Sequence, residues 1–401
     1  MSLQHLALDG VTENQLDRLI TDKIPESRVL EYKAAITIEK DEQKRELLSD
    51  ITALANTDGG DIVFGISADN GIASGLAGLR NFDSDAIIAR VENLLRDSVQ
   101  PRISGIQYHV VFLANKNHTL VIRVPRSFAA PHMVKHQGVI RFCGRNANGK
   151  YDLDVHELRS AFLANEVLAD RLKNFRIDRI NRLVSGQTPV SFSSSHLIVL
   201  HILPVVGARP DSRFSTRELQ RAINSANVAP IGSGGYSTFF NFDGPLLATH
   251  WGNKGYHSSV QIFRNGFIEA VESQLLNSTT KKDSEVILDR IIPSIAWERY
   301  IVGALPGYFR VLATLNLPPP YAVSISLLNV REYEMYTGIM FSRMERRSID
   351  RDHLMTEEIL VESPSEKTGK ILRPLFNQVW NACGWEESIN YNKDGDWYER
   401  R

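Results

Sequence analysis

The sequence predicts a mixed α/β (α+β) chain in two domains, and three observations carry that prediction. Short apolar runs of strand length alternate with amphipathic stretches of helical period. A Ser/Gly/Gln-rich break at Ser185–Ser195 interrupts the alternation and has the composition of a linker. A length of 401 residues exceeds what a single hydrophobic core usually holds. The expected division is therefore residues 1–185 and residues 196–401.

Taken in order, residues 11–21 read as a short helix with Thr12 as its cap and Leu16, Leu19 and Ile20 on one side. Arg28–Lys33 alternates as a strand, which puts Glu31 and Lys33 on one face and Leu30 and Tyr32 on the other. Residues 42–55 form an amphipathic helix on Leu47, Leu48, Ile51, Leu54 and Ala55, closed by the turn Asp58-Gly59-Gly60. Ile62–Ile66 reads as a buried strand, followed by the turn Asp69-Asn70-Gly71. A helix is expected over Asp83–Arg96. Strands over Ile103–Phe112 and Thr119–Val124 form a hairpin through Asn115–His118, and a further strand covers Val139–Cys143.

A helix starts at Val155–Phe162 and continues toward Leu183. Its Arg171, Lys173, Arg176, Arg179 and Arg182 fan widely, as on a solvated surface. Beyond the break, strands are expected at Leu197–Leu203, Ser237–Phe242, Ser258–Phe263 and Tyr321–Leu328. Helices are expected at Ser215–Ala226, from Ser284 to about Leu315, and at Leu372–Cys383. Trp251, Trp297, Trp380, Trp385 and Trp397 are scattered in the manner of core residues.

No apolar run reaches the roughly 18 residues a membrane helix needs, and the N-terminus has no leader pattern. Cys143 and Cys383 lie far apart without ligand spacing, so a reduced, cytoplasmic protein is the expectation. Net charge is only −1, but it is unevenly spread. Residues 1–100 sum to −8 and residues 101–190 to +8, and the stretch 101–150 holds eight Lys/Arg with no Asp or Glu. That asymmetry fits a polyanionic partner, and equally two halves that neutralise one another. Within it, Arg102, Arg123, Arg126, Lys135, Arg141, Arg145 and Lys150 are the candidate nucleic-acid contacts, Arg141 and Arg145 foremost for bidentate phosphate geometry. The competing reading pairs Arg141 with a carboxylate as a structural contact.

Three carboxylates bracket the first strand–helix–strand unit: Glu26, Glu31 and Asp69. Pro25 places Glu26 in the incoming loop, where it can curl toward Glu31. If the flanking strands are neighbours, Asp69 sits near the same sheet edge. Converging acids repel one another and raise their pKa values unless a cation is present; Mg²⁺ or Mn²⁺, hard ions that take oxygen ligands, would resolve that conflict. Lys33 could then neutralise charge on a phosphate. From spacing alone the plainer account is that Glu26 caps a turn, Glu31 pairs with Lys33 and Asp69 makes a turn.

The ordered motifs resemble the Schlafen AlbA-like domain of bacterial proteins. They are Glu26-Ser27-x-x-x-Glu31-Tyr32-Lys33, Ala55-Asn56-Thr57-Asp58-Gly59-Gly60 with Ile62-Val63-Phe64-Gly65-Ile66, Asp69-Asn70-Gly71, Val124-Pro125-x-Ser127, Arg141–Asn146 and Tyr151-x-x-Asp154. The resemblance covers about residues 10–165 and implies a Schlafen-type mixed sheet with flanking helices. It implies a metal-dependent endoribonuclease acting on structured RNA such as tRNA, in antiphage defence or stress response, with Glu26, Glu31 and Asp69 as catalytic metal ligands. Asp69 falls one residue later than the family position, where Ala68 stands, so Asp58 and Asp61 are substitutes. Animal members pair two such domains and this chain has one, so a homodimer is expected. Two alternatives stay open: a non-catalytic DNA- or RNA-binding regulator, and an ATP-binding protein. The last lacks a phosphate loop, since Gly232–Gly235 has no following lysine and Gly369-Lys370 no upstream glycine. Asn241–Gly244, Phe263–Glu269 and Leu372–Gly384 resemble a C-terminal region that accompanies the domain in some bacterial proteins; docking, sensing or oligomerisation are its candidate roles.

Overall fold

The computed structural model describes residues 3, 6 and 8–398, apart from 147–148, 211, 251–254, 278–279, 283–284, 289 and 338–346. Packing divides the chain into two units, Met1–Val167 and Leu168–Arg401. That division falls inside a helix rather than at the Ser185–Ser195 break, because residues 168–184 pack on the second unit. Trp251 lies outside the described residues.

The first unit opens with α1 (Glu13–Thr21), capped at Thr12. Strand β1 (Leu30–Lys33), helix α2 (Asp41–Ala55) and strand β2 (Gly60–Phe64) follow, with β1 and β2 parallel and Glu31 opposite Ile62. The chain turns at Gly65 into a hairpin, β3 (Ile66–Asp69) and β4 (Ile72–Leu76), so the apolar run is two strands instead of one. Next come α3 (Ser84–Ser98), β5 (Val99–Gln100), β6 (Gln107–Phe112), β7 (His118–Val124), β8 (Met133–His136), β9 (Val139–Asn146) and β10 (Gly149–Asp152). They complete two four-stranded sheets, ordered β1-β2-β7-β6 and β10-β9-β8-β5.

One face of the first sheet, with Leu30, Tyr32, Val63 and Val121, packs on Leu16 and Leu19 of α1. The other face, with Ile62, Phe64, Leu120 and Ile122, packs on α2 and α3. Helix α2 also lies against β8 and β9 of the second sheet, so every residue from Leu47 to Ala55 is buried, polar ones included. The Asn56-Thr57-Asp58-Gly59-Gly60 segment is the seam between these layers. Asn56 Nδ2 donates to the His132 and Cys143 carbonyls, and its Oδ1 accepts from the His132 N–H. At Gly59 (φ +72°) a Cβ would stand 2.6 Å from the Arg126 nitrogen, so backbone conformation and close packing both demand glycine.

Helix α4 (Val155–Val184) leads to the second unit. An antiparallel sheet is built there from β11 (Leu197–Pro204), β12 (Ser237–Phe240), β13 (Pro245–His250), β14 (Tyr256–Ile262), β15 (Ile268–Glu272), β19 (Tyr321–Leu328), β21 (His353–Met355) and β22 (Ile359–Val361), in the order β12-β13-β14-β15-β11-β19-β21 with β22 also on β19. Short pairs join β16 (Thr280–Lys282) to β17 (Glu285–Leu288) and β18 (Ile291–Pro293) to β20 (Glu334–Tyr336). Helix α6 begins only at Ser294 and ends at Thr314, so strand replaces helix before it. Ile198, Leu200 and Ile202 face α5 (Thr216–Ala226), α6 and α7 (Thr368–Ala382), with Trp297 and Trp380 fully buried among them. Leu197 and Val199 face Ile180 and Leu183 of α4. That contact corrects the solvated reading of the arginine fan: Arg176 and Arg179 are buried, while Arg171, Lys173 and Arg182 stay exposed. Among the described residues no helix is long and apolar enough to cross a membrane.

Candidate active site

Alternation along β1 sends Glu31 and Lys33 to the α2 side of the first sheet. There Lys33 Nζ lies 3.1 Å from Glu31, 2.9 Å from Glu46 and 3.2 Å from Asp50. Glu46 and Asp50 are one helical turn apart on α2, so both reach the same ammonium group. Strand β10 brings Lys150, whose Nζ is 2.7 Å from Asp50 and also donates to the Glu46 carbonyl at 3.3 Å. From β9, the buried Arg145 pairs with Glu31 and donates to the Ser27 and Leu30 carbonyls. Four elements separated widely in sequence thus meet in one cluster of alternating charge.

Glu26 stands at its edge. Its Oε1 accepts from the Tyr32 N–H at 3.1 Å, and its backbone N–H donates to the Gly71 carbonyl at 2.6 Å. The turn glycine leaves room for it: a Cβ on Gly71 (φ +75°) would come 3.3 Å from Glu26 Oε2. Burial, with a further push from Glu31, holds the half-buried Glu26 carboxyl above the ordinary glutamate range, against the Tyr32 hydrogen bond and the charges of Arg145 and Lys33. Burial likewise lifts Asp50, against the pull of Lys150 and Lys33. Burial pulls Lys33 down, but Asp50, Glu46 and Glu31 together hold it above the ordinary lysine range.

The expected carboxylate trio is only partly assembled. Glu26 and Glu31 are close enough to couple. Asp69 ends β3 next to the turn that holds Glu26, but its side chain is exposed and makes no hydrogen bond or ion pair among the described residues. Among the described residues, no three His, Cys, Asp or Glu side chains stand where they could share one metal ion. The substitutes are engaged elsewhere: Asp61 is held bidentately by Arg123, and Asp58 pairs with Arg28 and Arg126.

Most of the expected phosphate contacts are engaged in the same way. Arg123 bonds Asp61 directly across β2 and β7 and also takes the Leu3 and Leu6 carbonyls. Arg141 forms two bonds to Asp152, Arg126 pairs with Asp58, Arg145 with Glu31 and Lys150 with Asp50. Only Arg102 and Lys135, among these seven, are exposed and without such a pair. Sequence reasoning missed Glu46 and Asp50. Their signal was faint: Asp50 sits beside the apolar face of α2, and nothing in the spacing announces that Lys150, a hundred residues later, arrives there.

The first unit also matches a known family. Residues 26–152 match the model of the Schlafen AlbA_2 domain, so the chain carries a Schlafen AlbA-like domain across that span. The domain family is nucleic-acid-related. Among solved structures, the DIP2311 protein from Corynebacterium diphtheriae is similar at 16% identity and a TM-score of 0.24. The match covers 35% of this chain and 29% of that one. The N-terminal domain of a RecG-related protein from Nitrosomonas europaea is similar at 19% identity and a TM-score of 0.25, over 36% of this chain and 94% of that one. The chain thus spans less than a third of the first of these proteins and nearly all of the second domain. No curated protein matches the sequence.

Proposed function

We propose that the first unit is a metal-dependent endoribonuclease acting on structured RNA such as tRNA. The observation that carries this reading is Glu26: a half-buried carboxylate beside Glu31, lifted above its ordinary pKa, with one oxygen that accepts no hydrogen bond among the described residues. Such a group gains from a cation. The donor set fits Mg²⁺ or Mn²⁺ in a reduced form, Glu26 and Glu31 without Asp69. Mg²⁺ commonly takes one or two carboxylates and completes its shell with water and substrate phosphate. When bound, the ion supplies charge neutralisation at the phosphodiester and a more acidic water.

The chain's own groups do the remaining work. Glu26 and Glu31 offer hard oxygens at the strand edge. Lys33, a quarter exposed, holds a permanent positive charge beside them for the charge that builds on phosphate oxygens. Arg145 fixes Glu31 from behind and ties β9 to the loop that carries Glu26.

A second reading, a non-catalytic nucleic-acid binder, is favoured by one observation: both Glu31 oxygens already carry a cationic partner, Lys33 or Arg145. Purified protein incubated with total tRNA in Mn²⁺ or EDTA separates the two. Metal-dependent cleavage is expected, with Glu26→Gln lowering the rate on the order of 10²-fold or more while the protein stays folded. RNA binding without cleavage in either metal would leave the binder standing.

A further inference from the structure

The cluster contains a carboxylate that the metal reading does not use. Asp50 has a side chain only 2% exposed, yet it touches two ammonium groups from different elements, Lys33 of β1 at 3.2 Å and Lys150 of β10 at 2.7 Å. Both lysines remain partly open, 26% and 31% exposed, so the carboxylate lies beneath and the cations reach toward solvent. A long, flexible lysine normally samples many positions, and holding it costs side-chain entropy. Here one buried acid limits that freedom for two lysines at once. Among the described residues Asp50 Oδ2 makes no hydrogen bond, and it faces the Lys33 charge. Glu46, by contrast, is 56% exposed and free to swing away from Lys33 when a competing anion arrives.

We propose that Asp50 is a positioning residue that holds Lys33 and Lys150 together as a two-cation subsite for adjoining phosphates of a nucleic-acid chain. The subsite rests on the reading of the first unit as an RNA-acting domain, and it gives Asp50 a part in RNA binding separate from the metal-holding pair Glu26 and Glu31. Removing a negative charge next to two lysines would, through electrostatics alone, tighten binding to a polyanion. Loss of positioning weakens it. The sign of the effect therefore separates the two roles.

The test measures binding of fluorescently labelled tRNA to the full chain in EDTA across a series of salt concentrations, with cleavage in Mn²⁺ followed in parallel. Asp50→Asn keeps the shape and removes the charge. It is expected to bind roughly tenfold more weakly and to flatten the slope of log affinity against log salt by about one phosphate contact or more. Lys150→Gln should flatten it by about one contact, and the double variant should lose little beyond Asp50→Asn alone. If Asp50→Asn does not fold, Lys150→Gln decides: an unchanged salt slope overturns the subsite. Unchanged or tighter binding by folded Asp50→Asn, with wild type still cutting RNA, overturns the role of Asp50 and leaves the nuclease intact. Wild-type protein that neither binds nor cuts RNA removes both.

Discussion

In the second unit Glu269 on β15 lies opposite His201 on β11, and α4 lowers Arg179 onto it with two bonds of 2.8 and 3.0 Å. Every member is buried, and Phe175, Phe263 and Phe267 close around them. In the first unit Asp50 and Glu31 meet Lys33, Lys150 and Arg145 with similar residue chemistry, but the lysines open to solvent and Glu26 has an unused oxygen. The carboxylates respond in opposite directions. Burial raises Glu269, but the His201 and Arg179 hydrogen bonds outweigh it and bring the pKa down to about 2. At Glu26 and Asp50 burial prevails, and both are lifted. A cluster that satisfies its acid completely holds the fold; one that leaves an acid under-satisfied at an opening can take a ligand.

The largest expected effect breaks the satisfied cluster. Glu269→Ala strands Arg179 in the core and should destabilise the second unit by about 3–5 kcal/mol, read from chemical denaturation. An Ala variant that melts like wild type would remove the distinction between the two clusters.

Glu272, three residues on, sharpens the contrast, since its partners are backbone N–H groups of Gln274 and Leu275 and no cation. Burial pushes it to about 7, against those hydrogen bonds. The folded state thus keeps a proton that the unfolded chain releases near the ordinary glutamate value. Stability from this group is full at low pH and is lost as pH rises toward 7, by about 3 kcal/mol at most. Glu272→Gln should flatten that dependence, and melting curves at pH 4.5 and 7.5 with an unaltered difference would contradict it. The smallest effect belongs to the exposed Arg141–Asp152 pair. Arg141→Ala should cost less than about 1 kcal/mol in the same assay, and a larger loss would mean that exposed pairs in this domain are structural.

Much of the first unit was legible in the sequence. The strand, helix and strand that carry Glu31 and Lys33 emerged from period and turn residues, because alternation in β1 and the apolar stripe of α2 are local patterns. The pairing of β1 with β2 stood in the sequence only as a condition, and the structure supplies it as a parallel pair. Less legible were partners set by register and layering. Arg123 read as a phosphate contact until β7 placed it opposite Asp61. Arg176 and Arg179 read as solvated, because an isolated helix gives no sign that a sheet with Glu269 and Ser326 will cover it. The start of β3 was hidden in a run that looked like one strand, since Gly65, at positive φ, separates it from β2.

By itself, the sequence determined the strand, helix and strand of the first unit's opening, the face on which Glu31 and Lys33 lie, and the likeness to a Schlafen AlbA-like domain. Tertiary structure alone decided which charges meet: Asp50 joined Lys150, Arg145 took Glu31, and Asp69 stayed outside. The reason is range. Periodicity and turns act over a few residues and are written in the chain, whereas an ion pair depends on which layers close over one another, and a hundred intervening residues leave no mark of that.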